Sequence, residues 1–456
     1  MRVAVTAALL VGLLVTTGGT QQLPSTPVPT PPPAGPPKTL AECISITIQQ
    51  HPSLKAATAS VQAGRARVWE AGSNYLPQVA AFYNVNRGNS VTTSRTGGLA
   101  GPTPGQGTST VNTGGAASTT FNFYHTGASL SQVLFDFGQT LDNIRAAQAS
   151  EQALQSDRAT TRETVILNVK QAYFNVLATR RLQTVADETV RQNEKHVEQA
   201  EGRFHVGLAA KFDVTQTQVQ LANAQLNQVT AHNNVALARE TLRNALGLTG
   251  PLDFDIVDTF GLHQVKIAEN DALTAAYDKR PELQSIQAQE RAAEEQIAAL
   301  EKNYLPNLTG NGSYGWSGTG YPLDSTWSIG GSVNLSVFNG GLTTAQIGEQ
   351  KANLSNLKYN EDVLRQNISF EVRQAVLNLA QAAESIRVAE TGLRQARENL
   401  DLAEGRYSTG VGNIIELTDA QASLTTAEAN YVQSLYMYKT SVAALEKATT
   451  QSLESE

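Results

Sequence analysis

The 456-residue chain contains one cysteine and two methionines. A lone thiol, Cys43, excludes an intrachain disulfide. With Met437 the only methionine beyond the start, the chain also lacks a thioether relay for soft metal ions. Past the first 20 residues no apolar run approaches the roughly 20 needed to cross a bilayer as a helix, so any passage through a membrane must be made by a β-barrel. Charged residues make up only 16% of the chain and the net charge is −7, which argues against nucleic acid as a partner. The six histidines (His51, His125, His196, His205, His232, His263) form no HExxH or closely spaced pair. His196 and Glu201 are five apart, a spacing that does not align two side chains on one helical face. There is no P-loop, nucleophile elbow or cysteine cluster. Glycine strings such as GNGSYGWSGTG fall in strands and a hairpin, without the strand-to-helix context of a dinucleotide site. No catalytic residues, cofactor or metal ligands are expected.

The N-terminus reads as an export signal over residues 1–20. Arg2 gives the basic region, Val3 to Val15 the apolar core and Thr16 to Gly19 the small residues for cleavage. Residues 21–38 hold eight of the sixteen prolines and read as an extended spacer or mobile arm that cannot pack a core. Cys43 follows Glu42 and lies beyond the proline run, so it reads as a small residue packed on a helix face and not as a lipid attachment point.

Neither Gly nor Pro occurs between Gly138 and Gly202. Such a stretch predicts a single helix roughly 100 Å long, more than a compact globule needs and suited to a stalk or tube. It ends in EGRFHVGLAA (201–210), and EGRYSTGVGN (404–413) ends a second long helical stretch 203 residues later. The doubling is general. His51–Pro77 matches Arg280–Pro306 at an offset of 229, and from VLFDFGQ and SVFNGGL onward the offset is 203. The 26-residue difference falls in a Gly/Thr/Ser-rich loop around Ser94–Thr119, expected to lie outside the membrane and to be dispensable for folding. The organisation is therefore a first repeat at 39–250, a linker at 251–269, a second repeat at 270–450 and a tail at 451–456. Each repeat reads helix, strand pair, very long helix, tip turn, helix. The strand pairs are expected near 74–88 with 120–137 and 303–317 with 325–338, and the turns at 205–211 and 408–412.

The strand segments alternate. Trp327, Ile329, Val333, Leu335 and Val337 interleave with Ser328, Gly330, Ser332, Asn334 and Ser336, and Val79, Ala81, Tyr83 and Val85 interleave with Gln78, Asn84 and Asn86. One apolar and one polar face suits a strand between lipid and a wet lumen. The helices carry heptads instead: Val169, Ala172, Val176, Thr179, Gln183, Ala186, Val190, Asn193, Val197, Ala200 and Phe204 in the first repeat, and Val372, Ala375, Leu379, Ala382, Ile386, Ala389, Leu393, Ala396, Leu400, Ala403 and Tyr407 in the second. Four strands cannot close a barrel, since about eight are needed. An open sheet in lipid would leave two unpaired edges, so the pattern demands a symmetric oligomer.

The duplicated plan, the paired NYLP segments leading into strands, and the GRFHVGL…DV and GRYSTGV…EL turns resemble the TolC family of outer-membrane efflux proteins, from Thr39 to about Thr450. The resemblance implies an α+β membrane protein. A homotrimer would form a 12-stranded β-barrel in the outer membrane of a Gram-negative bacterium, with four strands from each chain. The barrel would continue into a long periplasmic coiled-coil tunnel. It implies a passive exit duct that docks, through a periplasmic adaptor, onto an inner-membrane pump for multidrug efflux or type I protein secretion. By motif match the adaptor would meet Val206, Gly207, Leu208 and Ala209 in the first turn and Gly410, Val411 and Gly412 in the second.

Just past the second turn, Glu416 and Asp419 are three apart and share a helical face. The family's acidic constriction falls on these two positions, so three copies would gather six carboxylates at the tunnel's narrow end. Asp213, the first-repeat counterpart of Glu416, is expected to accept a hydrogen bond from the Tyr407 hydroxyl and hold the tip shut. The chain departs from the family in lacking a lipidated cysteine, in having Gly412 where some relatives carry a basic residue, and in its proline arm. A trimeric coiled-coil stalk or adhesin with a barrel anchor is the other class the pattern allows.

Overall fold

The computed structural model describes residues 35–92, 117–258, 261 and 267–453. The export signal, most of the proline arm, most of the Ser94–Thr119 loop and the last three residues lie outside the described residues.

The chain runs β1 (Gly35–Lys38), α1 (Leu40–Gln50), α2 (Pro52–Ser73), β2 (Gln78–Thr92), β3 (Ala117–Phe135), α3 (Gln139–His205), α4 (Lys211–Ala245), β4 (Phe254–Ile256), α5 (Glu269–Lys279), α6 (Pro281–Glu301), β5 (Asn307–Gly318), β6 (Asp324–Asn334), α7 (Leu342–Ser408) and α8 (Ile414–Thr449). The two long helices are each 67 residues. At 1.5 Å per residue both rods reach about 100 Å. Local chemistry sets their starts. Gly138 and Gly341 adopt φ of 84° and 86°, a left-handed conformation that turns the chain from strand into helix and that glycine enters without steric cost. Asp136 reinforces the first start by accepting from the amides of Gly138 and Thr140 at 3.0 and 2.8 Å.

Side-chain bonds show how the helices stack. Arg65 of α2 bonds Glu151 high on α3, while Gln228 and His232 of α4 bond Asp187 low on it. On the other flank Ser285 of α6 bonds Asp157, and Thr425 of α8 meets Thr189. α7 packs against α6 and α8 in turn. The helices thus form a ribbon of four struts: α2 over α4, then α3, then α6 over α8, then α7. The four-stranded antiparallel sheet has the same left-to-right sense, β2-β3-β5-β6.

One sheet face is apolar, carrying Val79, Tyr83, Val85, Leu130, Tyr314, Trp316, Trp327, Ile329 and Val333, all exposed in the single chain. The other carries Ser313 bonded to Ser328 and Thr309 bonded to Ser332, with Asn84 and Asn334. Leu335, Val337 and Phe338 fall outside β6, because β5 begins at Asn307, the partner of Asn334, and offers nothing to pair with beyond it. The first hairpin is longer than its sequence pattern indicates, with Thr92 still paired to Ala117. No described helix is long and apolar enough to cross a membrane.

The main core lies at mid-height, where the stacked helices meet. Val169, Tyr173, Val176, Leu242, Leu246, Ile368, Val372, Tyr438 and Leu445 are buried there. The end of the proline arm departs from the spacer reading. Gly35–Lys38 forms a strand parallel to β4, the Gly35 amide donating to Asp253 O at 2.8 Å and Val257 N to Lys38 O at 3.0 Å. Pro36 and Pro37 have no amide proton to leave unpaired, which is why an edge strand accepts them. Tyr173 fastens this small sheet to α3 by donating its hydroxyl to Val257 O at 2.5 Å.

Candidate functional site at the helical tip

Both long helices stop in the same way. Gly207 has φ of 77°, its amide bonds Phe204 O at 3.0 Å and the Leu208 amide reaches back to Arg203 O at 2.8 Å. Gly410 has φ of 78°, its amide bonds Tyr407 O at 3.1 Å and the Val411 amide reaches Arg406 O at 3.0 Å. These are two Schellman closures with glycine at the left-handed position, which satisfy the last carbonyls of each helix and reverse the chain. Val206, Leu208 and Val411 stand 69, 72 and 71% exposed beside them. Ala209 and Gly412 are half-buried. The turns therefore project an apolar tip into solvent.

The restarts differ. Asn413 caps α8 by accepting from the Glu416 amide at 2.8 Å, whereas Ala210 gives α4 no side-chain cap. Glu416 and Asp419 both lie exposed on one face of α8, with Leu417 and Thr418 buried between them. The structure gives Glu416 a partner the sequence reading had not assigned: the Arg406 guanidinium donates to its carboxylate at 3.2 Å. Asp419 has no ion pair among the described residues.

The expected hydrogen bond from the Tyr407 hydroxyl to Asp213 is not formed in the single chain. The tyrosine ring is buried, and its hydroxyl has no hydrogen-bond partner. The reason is Arg203, whose guanidinium lies 4.7 Å above the Tyr407 ring centroid and donates to the Tyr407 carbonyl. The tyrosine is thus held by its ring and its backbone. Burial, with a contribution from the Asp213 charge, pushes the phenol above its usual range against the opposing pull of Arg203. Sequence reasoning passed over Arg203 and Arg406, although both stand inside the doubled Gly-Arg-aromatic phrase. That doubling was the available signal.

A second omission is His196, 3% exposed in the α3 seam, with its Nε2 3.9 Å from the Glu404 carboxylate and its Nδ1 without a partner. Burial, aided by Lys195, pushes its pKa below the usual histidine range. The heptad pattern puts Val197 in the seam. The seam instead passes through Asn193, His196 and Ala200, and Phe204 is exposed at its lower end.

Residues 43–248 and 272–451 match the model of the family described as outer membrane efflux protein. The outer membrane protein TolC of Escherichia coli is 28% identical over 68% of this chain and 66% of its own length, and that of Salmonella enteritidis is 28% identical over 68% and 65%. The chain thus aligns with about two thirds of the length of these relatives. The TolC of Vibrio cholerae is 24% identical over 90% of both chains. Among solved structures, the Campylobacter jejuni CmeC outer membrane channel superposes with a TM-score of 0.78 at 19% identity, covering 91% of this chain and 86% of CmeC. The outer-membrane channel OprN gives 0.76 at 17% identity, covering 90% and 89%.

Proposed function

Because the chain belongs to the outer membrane efflux protein family, we propose that three copies close into a 12-stranded outer-membrane barrel above a periplasmic helical tunnel. The assembly is a passive exit duct for cargo delivered by an inner-membrane pump through a periplasmic adaptor. The observation that carries this reading is that the four-strut ribbon is unfinished along both sides. β2 and β6 are the edges of the sheet. Below them, α4 exposes Val219, Leu226, Val229 and Leu237, while α7 on the opposite side exposes Tyr359, Val363, Phe370 and Leu377. An open sheet edge in lipid strands backbone donors and acceptors, and apolar stripes at helical spacing call for a partner helix. Pairing the β2/α4 side of one copy with the β6/α7 side of the next satisfies both in one head-to-tail contact, which closes into a ring.

Within that ring the exposed Val206, Leu208 and Val411 form the adaptor-docking rim, and Glu416 and Asp419 face the narrow end of the tunnel. Native mass measurement of the detergent-extracted protein should give a trimer, and that trimer should conduct ions in a planar bilayer. A stable monomer with full β content would overturn the closure. A trimer without conductance would favour the stalk.

A further inference from the structure

The two hairpins differ on the face that carries the serines and asparagines. On β5 and β6 this face holds Asn311, Ser313, Ser317, Ser328 and Asn334, with no aromatic ring. On β2 and β3 it holds Phe82, His125 and Phe123, placed there by the pairing of Phe82 with Gly127, Asn84 with His125 and Asn86 with Phe123. The Phe82 and His125 rings stack at 4.6 Å with an interplanar angle of 21°, and Phe123 follows 6.4 Å from His125 at 32°. All three side chains are half-buried. Tyr83, Tyr124, Tyr314, Trp316 and Trp327 belong to the opposite, apolar face.

Covering glycine is the structural role open to such rings, since Phe82 lies across from Gly127. The second hairpin argues that this cover is not required. Its Gly330 lies on the same polar face, paired with Asn311, and a Cβ built there would meet nothing within 4 Å, so no ring covers it. The second hairpin therefore pairs without aromatic rings on that face, whereas the first carries three.

We propose that Phe82, His125 and Phe123 form a stacking site for flat aromatic molecules on the inner wall of the barrel. The inference rests on the trimeric-channel reading, which turns the polar face inward and repeats the ladder three times around the lumen, separated by polar walls. Two near-parallel rings are already preorganised to take a third. A flat aromatic molecule extends the stack through dispersion and ring quadrupole, whereas a saturated molecule of equal size and charge gains only apolar contact. The serine and asparagine walls offer neither kind of molecule a comparable surface, so the ladder would slow aromatic cargo in the last stretch before release.

The test uses the full-length trimer in a planar bilayer, with 1-pyrenesulfonate added on the barrel side and perhydropyrene-1-sulfonate as the saturated control of the same carbon skeleton and charge. The expected result is reversible current interruptions with pyrenesulfonate alone. Their dwell time should shorten about tenfold in Phe82→Leu, which keeps apolar bulk but removes the ring, while open-channel conductance stays unchanged. Equal dwell times in wild type and variant, or equal interruption by the saturated control, would overturn the site. If Phe82→Leu does not assemble, His125→Gln takes its place with the same expectation. A wild-type trimer that carries no current would overturn the channel reading itself. Pyrene fluorescence anisotropy on the detergent-solubilised protein then decides the site separately: saturable binding lost in the variant supports it, and no binding refutes it.

Discussion

At the tip, Arg203 reaches out of the first turn onto the Tyr407 ring and carbonyl of the second, whereas Arg406 reaches only back into its own repeat, to Glu416. The two arginines are 203 positions apart and occupy the same place in the repeat. After duplication one became a strap between repeats and the other a clip within one. The neighbouring positions diverge in the same sense: Asp213 and Gln216 stand where the second repeat has Glu416 and Asp419, Ala209 where it has Gly412, and Ala210 where it has the capping Asn413. The backbone of the turn is common to both copies. Charge and capping are concentrated in the second.

Neutralising that charge is the strongest way to break the contrast. Glu416→Gln with Asp419→Asn strips the second restart of both carboxylates, leaving Asp213 of the first, and ion selectivity in bilayers is expected to lose its cation preference. Because both carboxylates are exposed, thermal stability should hardly change. Destabilisation with intact selectivity would make them helix-end charges only.

The turn itself gives the next largest effect. A Cβ on Gly412 would come within 2.9 Å of Arg406 Cβ and 3.1 Å of backbone atoms at Arg406 and Tyr407. Gly412→Ala should therefore cost roughly 1–3 kcal/mol, as overpacking does, and displace the clip. The first repeat carries alanine at the equivalent position, so Ala209→Gly should be nearly silent. Hydrogen exchange of the two turns would read the difference.

His196 gives a smaller, pH-dependent contrast, because its second-repeat counterpart, Asn399, is exposed and does not titrate. Its folded-state pKa is depressed, so the unfolded chain binds more protons across the window from the ordinary value of 6.5 downward. Stability must then fall as pH drops through that window. Melting curves of His196→Gln should show a shallower loss between pH 7 and 5 than wild type. An unchanged slope would remove His196 from the account.

The smallest effect is expected at Tyr407. Its hydroxyl is buried without a partner, so Tyr407→Phe should be neutral to slightly stabilising and should leave conductance unchanged. Arg203→Met, by contrast, removes the strap and should raise conductance. A Tyr407→Phe channel that opens would restore the hydroxyl to the gate.

These differences also mark what could be read from the sequence. Most of the α7 seam was legible: Val372, Ala375, Leu379, Ala382, Ile386, Leu393, Leu400 and Ala403 of its apolar repeat are buried, while Ala389 and Ala396 are half-buried. The lower α3 seam was legible only in part: Asn193 and Ala200 belong to the heptad and are buried, but His196 is polar, and a hydrophobic periodicity puts Val197 in its place. The reversals were legible because only glycine sits easily at positive φ. The straps were not, because one arginine bonds a backbone carbonyl 204 residues away, and no local pattern encodes that. The Gly35–Lys38 strand was hidden by its prolines, which signal extension without saying what lies alongside.

The equal 67-residue length of α3 and α7 has a consequence for how such a chain can vary over generations. Deleting one residue from either rod would retract its turn by about 1.5 Å and swing it by roughly a quarter of a circle. Arg203 would then leave Tyr407 and the seam would face the wrong neighbour. Length changes in these helices must therefore arrive as a matched pair, of the same size in both copies and in whole heptads. The loop beyond Thr92 is under no such rule, and it is there that the two copies differ by 26 residues.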